Sequence, residues 1–152
     1  MDLKEIVNEN LINLDMKAKT KKEAIEELTE SLYQEGKVRD REAFVKDVYI
    51  REREGKTGLG NHIAIPHGKS DAVAVTSIAF GRTKQDLAWE TPDNQPVHVI
   101  LLFAVRNADK TTLHLKLLAQ VAVALADDAV LEKLLQTTDK KEVLRLLAQR
   151  VE

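Results

Sequence analysis

The residues in this chain that could do chemistry are imidazoles. There are four histidines, His62, His67, His98 and His114, and no cysteine, so thiol nucleophiles and thiolate metal sites are excluded. His67 has the most specific surroundings, Thr57-Gly58-Leu59-Gly60-Asn61-His62-Ile63-Ala64-Ile65-Pro66-His67-Gly68-Lys69. Two glycines and an Asn suit an irregular loop, and Ile63-Ala64-Ile65 suits a short buried strand. Pro66 removes a ladder donor and ends that strand, leaving His67 at a sheet rim between a stiff residue and a pliant one. This is an address for a rigidly held, accessible imidazole, either reactive or simply a satisfied surface residue. His114 shares a helical stripe with Leu118, Val121 and Leu125, which suits either a core histidine satisfied by backbone or one facing a site. Arg51 follows Phe44 and Val48 at i, i+4, i+7 spacing, whereas Arg53 lies off that stripe. Arg51 therefore either snorkels and complements its helix end or turns into a site. No H-E-x-x-H or H-x-x-E-H spacing supports a metal, and Gly58 and Gly60 lack the Lys-Ser/Thr ending of a nucleotide loop.

The elements that must position these residues are legible from periodicity and caps. Asp2 and Glu5 predict a short helix over Leu3 to Val7, and Leu11 to Asp15 alternates as a strand. Thr20 and Glu23 form a capping box before Ile25, Leu28 and Leu32, with Gly36 as the stop. Asp40 caps a second helix running toward Gly55. Val73 to Phe80 is expected as a strand ended by Gly81, and Pro92-Asp93-Asn94 as a turn. Val97 to Val105 is almost continuously apolar and predicts a central strand covered on both faces, with His98 structural or solvent-facing at its start. Arg106 to Lys110 is a polar loop, and Thr111 or Thr112 caps the long helix that carries His114. Two short helices follow, from Asp127 or Asp128 and from Asp139. Interspersed strands and helices without repeat or linker predict one α/β domain over residues 1–152, with a mixed sheet of about five strands flanked by helices on both faces.

Composition narrows the function classes. Of the 152 residues, 43% are hydrophobic and 32% charged, as in a globular domain with a well-solvated surface. A net charge of -2 provides no basic face for nucleic acid, and 4% aromatics are too few for a base-stacking platform. No apolar run reaches membrane-spanning length and the first residues do not resemble a signal peptide, so a cytoplasmic chain without direct membrane insertion is expected.

The run from Thr57 to Lys69, with its G-x-G-x-x-I-A-I-P-H-G core, resembles the signature around the phosphorylated histidine of fructose/mannitol-type enzyme IIA domains of the bacterial phosphoenolpyruvate:sugar phosphotransferase system. The resemblance extends from about Leu11 to the C-terminus and implies that family's α/β fold. It also implies a relay, in which His67 takes a phosphoryl group from the phosphocarrier protein HPr and passes it to a cysteine of a cognate enzyme IIB. With no cysteine here, that thiol belongs to a separate protein or domain, and a membrane enzyme IIC is an indirect partner. His114, in the pattern H-L-x-x-L-A, matches the family's second active-site histidine, and Arg51-Glu52 matches its Arg-Glu pair, which implies that Arg51 points into the site. No cofactor is implied. A nitrogen-type or other regulatory enzyme IIA, whose phosphorylation controls a protein partner, would carry the same histidine site. The resemblance leaves the sugar open, because enzyme IIA does not contact it. His62 departs from the family pattern, which often has a small residue at that position.

Overall fold

Helix starts follow from their caps. The Thr20 hydroxyl accepts the Glu23 N–H at 3.1 Å and Asp40 accepts that of Ala43, opening α1 (Lys21–Gln34) and α2 (Arg41–Glu54). The Glu23 carboxylate reaches back to the Lys19 N–H at 2.9 Å, and Gly36, at φ 72°, carries the chain out of α1. The computed structural model describes residues 6–109 and 113–148. The helix expected over Leu3 to Val7 begins outside these residues, and the Thr111 and Thr112 caps lie outside them too.

The described residues form one six-stranded mixed sheet: β1 (Ile12–Met16), β2 (Gly58–Gly60), β3 (Ile63–Ala64), β4 (His67–Ser70), β5 (Ser77–Leu87) and β6 (Val97–Arg106). Strand β6 is central. It pairs antiparallel with β5 on one side, and on the other it pairs parallel with β3 and then β4. β1 lies parallel to β5 at one edge, and β2 lies antiparallel to β3 at the other.

The period-2 alternation of β6 separates two cores. Val99, Leu101, Phe103 and Val105 face a layer made by α3 (Leu113–Leu125), α4 (Asp128–Gln136) and α5 (Lys140–Ala148), which contributes Val121, Leu134 and Val143. Ile100, Leu102 and Ala104 face α1 and α2, which contribute Leu28, Phe44 and Val48. The expected α/β architecture with helices on both faces is therefore present, with six strands in place of about five.

Two boundaries differ from expectation for the same reason. The strand expected over Val73 to Phe80 is instead Ser77–Leu87 and continues through Gly81. A Cβ on Gly81 would collide with Met16 Sδ and stand 2.9 Å from Leu28 Cδ2, so this glycine marks the close approach of α1 and β1 and not a stop. Val73 makes only an isolated bridge to Val38. Likewise, Pro66 interrupts the strand without ending it. Ile63 pairs with Val99 and His67 with Phe103, the same offset on both sides of the proline, so β3 and β4 continue one line.

Gly68 is the tightest contact of that line. A Cβ there would collide with Phe44 Cε1 and lie 2.9 Å from Val48 Cγ2. Gly68→Ala is expected to destabilise the fold by about 1–3 kcal/mol, as overpacking of a filled core does. Chemical denaturation checks this, and an unchanged midpoint would mean that α2 yields freely.

Candidate functional site

The segment that leads to His67 is held at several points before the histidine is reached. β2 and β3 form a hairpin whose turn residues Asn61 and His62 have φ of 54° and 69°, so the loop expected around the two glycines is a tight turn. The Asn61 N–H donates to Asp93 at 3.0 Å, and the Ile65 N–H donates to the Thr57 carbonyl at 2.9 Å. Gly58 is required because its Cα packs on Glu90 and Thr91, where a Cβ would meet the Glu90 carbonyl at 2.5 Å.

Behind this hairpin lies a polar network that spacing alone does not reveal. Lys21 at the start of α1 donates to Glu52 at 2.8 Å and to Glu90 at 2.7 Å, and its ammonium sits 5.0 Å from the centre of the Trp89 ring. The other Glu52 oxygen accepts the Thr57 hydroxyl at 2.5 Å, and the Trp89 indole N–H donates to the same hydroxyl oxygen. Burial works against the Lys21 ammonium, but the hydrogen bonds to Glu52 and Glu90 outweigh it and raise its pKa. The Glu52 side chain is only 5% exposed. Glu52→Gln keeps the shape but removes the charge facing Lys21, and is expected to cost about 1–3 kcal/mol. Thermal unfolding of the variant checks this, and a Tm equal to that of the parent would show the network to be idle.

His67 opens β4. Its backbone partner across the sheet is Phe103, whose N–H donates to the Pro66 carbonyl at 2.9 Å, and the two rings lie 5.1 Å apart. The accessible rim position expected from sequence is corrected here, since His67 is only 4% exposed. The physical cause is β6, which runs past Pro66 and offers its edge to residues 67–70. Alternation puts the His67 side chain on the face of Ile63 and Phe103, the face covered by α3.

His114 lies in the first turn of that helix, as expected; the structure describes its backbone and not its side chain. β6 ends at Arg106, a 3-10 turn occupies Asn107–Asp109, and α3 is under way by Leu113. The histidine-bearing end of α3 thus follows the end of β6 that pairs with β4. Asp109 steadies this connection by accepting from the Thr76 hydroxyl at 2.6 Å and from the Arg106 guanidinium at 2.9 Å, contacts that hold its carboxyl below the usual range.

Arg51 is half-buried in the last turn of α2, and Arg53 is exposed. The Arg51 Nη1 donates to the Gly55 carbonyl at 3.1 Å, so the guanidinium closes its own helix end. One turn earlier on α2, Val48 packs against Gly68, the neighbour of His67. Arg51 thus lies one turn along α2 from a residue packed beside His67, on the sheet face opposite to α3. Among the described residues no group of three or more His, Asp or Glu could hold a metal ion, and no helix is long and apolar enough to cross a membrane.

Residues 5–150 match the family model described as "Phosphoenolpyruvate-dependent sugar phosphotransferase system, EIIA 2". The chain belongs to this EIIA family. The proteins it resembles include both sugar-specific components and nitrogen regulatory proteins. The chain is 31% identical over 149 residues to the fructose-specific EIIABC component of Bacillus subtilis, covering 98% of this chain but only 23% of that larger protein. The nitrogen regulatory protein IIA-Ntr of Neisseria meningitidis has the same fold, with a TM-score of 0.85 and 31% identity over 94% of this chain and 97% of that one. The enzyme IIA of the mannitol system of Escherichia coli, solved in complex with phosphorylated enzyme IIB, superposes with a TM-score of 0.79 and 32% identity, covering 95% and 98% of the two chains. Membership in the EIIA family ties the chain to the phosphoenolpyruvate-dependent sugar phosphotransferase system, while it spans only about a fifth of the length of the EIIABC components it matches.

Proposed function

We propose that His67 is the phosphoryl acceptor of this EIIA chain, loaded by phospho-HPr and discharged onto a cysteine of a cognate enzyme IIB in the uptake of a fructose- or mannitol-like sugar. The observation that carries this reading is the place of His67. It is a buried imidazole on a continuous strand, backed by Pro66 and Phe103, on the face covered by the helix that opens with His114. In the first step the N–P bond of the donor phosphohistidine breaks as an N–P bond to His67 forms. In the second, that bond breaks and an S–P bond forms on the thiolate. The accepting nitrogen must be deprotonated and must offer its lone pair in line. Charge on the transferring group spreads over three equatorial oxygens, so the surrounding residues act by position and electrostatics. His114 offers a ring N–H and the N-terminal end of α3 offers backbone donors. Arg51 offers a planar fork once its guanidinium exchanges the Gly55 carbonyl for phosphoryl oxygens.

The test is transfer from purified phospho-HPr, followed by transfer onward to candidate enzyme IIB proteins. Phosphate should appear on His67 without ATP or added metal and should leave on addition of the cognate IIB. A chain that stays unlabelled would overturn the reading. A second reading, a regulatory EIIA of the nitrogen type, is favoured by the similarity to the Neisseria protein. It predicts the same loading from a phosphocarrier but no onward transfer to any sugar-specific IIB.

A further inference from the structure

A second cluster of basic groups lies at the other end of the β3–β6 pair. The hairpin turn is clamped there, since the His62 carbonyl accepts the N–H groups of His98 at 2.9 Å and Val99 at 3.0 Å. The His62 Nδ1 lies 2.8 Å from the Pro96 carbonyl, which can only accept, so Nδ1 is the donor. His98 places Nε2 3.1 Å from Asp86, and the two imidazole centres are 5.2 Å apart. Arg82 and Lys84 on β5 join these rings around an open cavity of about 560 Å³, bordered by Leu135 and Gln136 at the end of α4. The volume is that of a small-ligand site.

Two permanent cations, Arg82 and Lys84, line this cavity. Arg82 donates only to the Leu134 carbonyl, at 3.2 Å, and burial lowers its guanidinium from the ordinary value with no carboxylate to offset it. Lys84 makes no ion pair among the described residues. Asp86 pairs with His98, and Asp15 acts on Lys84 through space. Arg82 is contacted by no carboxylate among the described residues. The left-handed backbone of His62, at φ 69°, is a costly conformation for a residue with a Cβ, and it is held there by the contacts that aim the ring at His98.

We propose that His62, His98, Arg82 and Lys84 form a binding site for a small phosphate monoester, separate from His67. Arg82 and Lys84 take the phosphate oxygens, and the ring nitrogens of His62 and His98 not engaged by Pro96 and Asp86 hydrogen-bond to hydroxyls of the ligand. His62 and His67 are five residues apart along one nearly straight strand path, roughly 16 Å, so one small ligand does not reach both.

The probe is glycerol 3-phosphate, titrated at constant ionic strength against the full chain while the imidazole resonances are followed by NMR. Saturable shifts of His62 and His98 are expected, and Lys84→Gln, a change at an exposed position, should weaken binding about tenfold through loss of one charge-assisted contact. The proposal is overturned if the shifts do not saturate, if glycerol alone reproduces them, if they centre on His67, or if Lys84→Gln binds as well as the parent.

Discussion

A His67→Gln chain mixed with phospho-HPr takes up no acid-labile, base-stable phosphate, while the parent chain is labelled to completion. This is the largest effect expected, because the acceptor atom itself is removed. Glutamine is preferred to alanine here. At 4% exposure His67 fills part of the core beside Phe103, and alanine would leave a cavity as well as removing the nucleophile. The burial also makes His67→Ala a core substitution. It should cost more than the roughly 0.5 kcal/mol of a surface change. Labelling of His67→Gln at the parent rate would assign the acceptor to another residue, whatever the stability of the variant.

Arg51→Ala and His114→Ala are each expected to remain acceptors at His67 but to load ~10²–10³ more slowly, the usual loss for one positioned electrostatic donor. Arg51→Lys should recover only part of the rate, because an ammonium lacks the planar fork. The Arg51 contact with Gly55 sharpens this test. If the guanidinium only closes α2, Arg51→Ala lowers the Tm and leaves the transfer rate alone; if it engages the phosphoryl group, the rate falls while the Tm moves little. Rapid-quench transfer from phospho-HPr separates the two. Parent-like rates in both alanine variants would leave His67 as an acceptor without the proposed helpers.

Local chemistry in the sequence determined much of this protein. Caps and stripes placed α1, α2, α4 and α5, because a side-chain cap and a 3.6-residue period act within a few residues of one another. The apolar run from Val97 marked the central strand for a similar reason, since burial on both faces leaves no polar alternation. The motif around His67 made this histidine the candidate acceptor, because its glycines, proline and apolar run are contiguous in the chain.

What only the tertiary structure decided are properties set by partners distant in the chain. Pro66 looked like a strand end, but 36 residues later β6 supplies an edge that carries β4 onward in the same register and buries His67. Gly81 looked like punctuation, but Met16 and Leu28 need the space of its missing side chain. Glu52 meets Lys21 across 31 positions, and Lys21 meets Glu90 across 69, separations at which no periodicity survives. His62 and His98, unremarkable apart, stand ring to ring because a parallel pairing between β3 and β6 brings their strand starts together. Spacing records what a helix or strand does to its own residues; which elements then lie side by side is set by the packing of the two cores against one sheet.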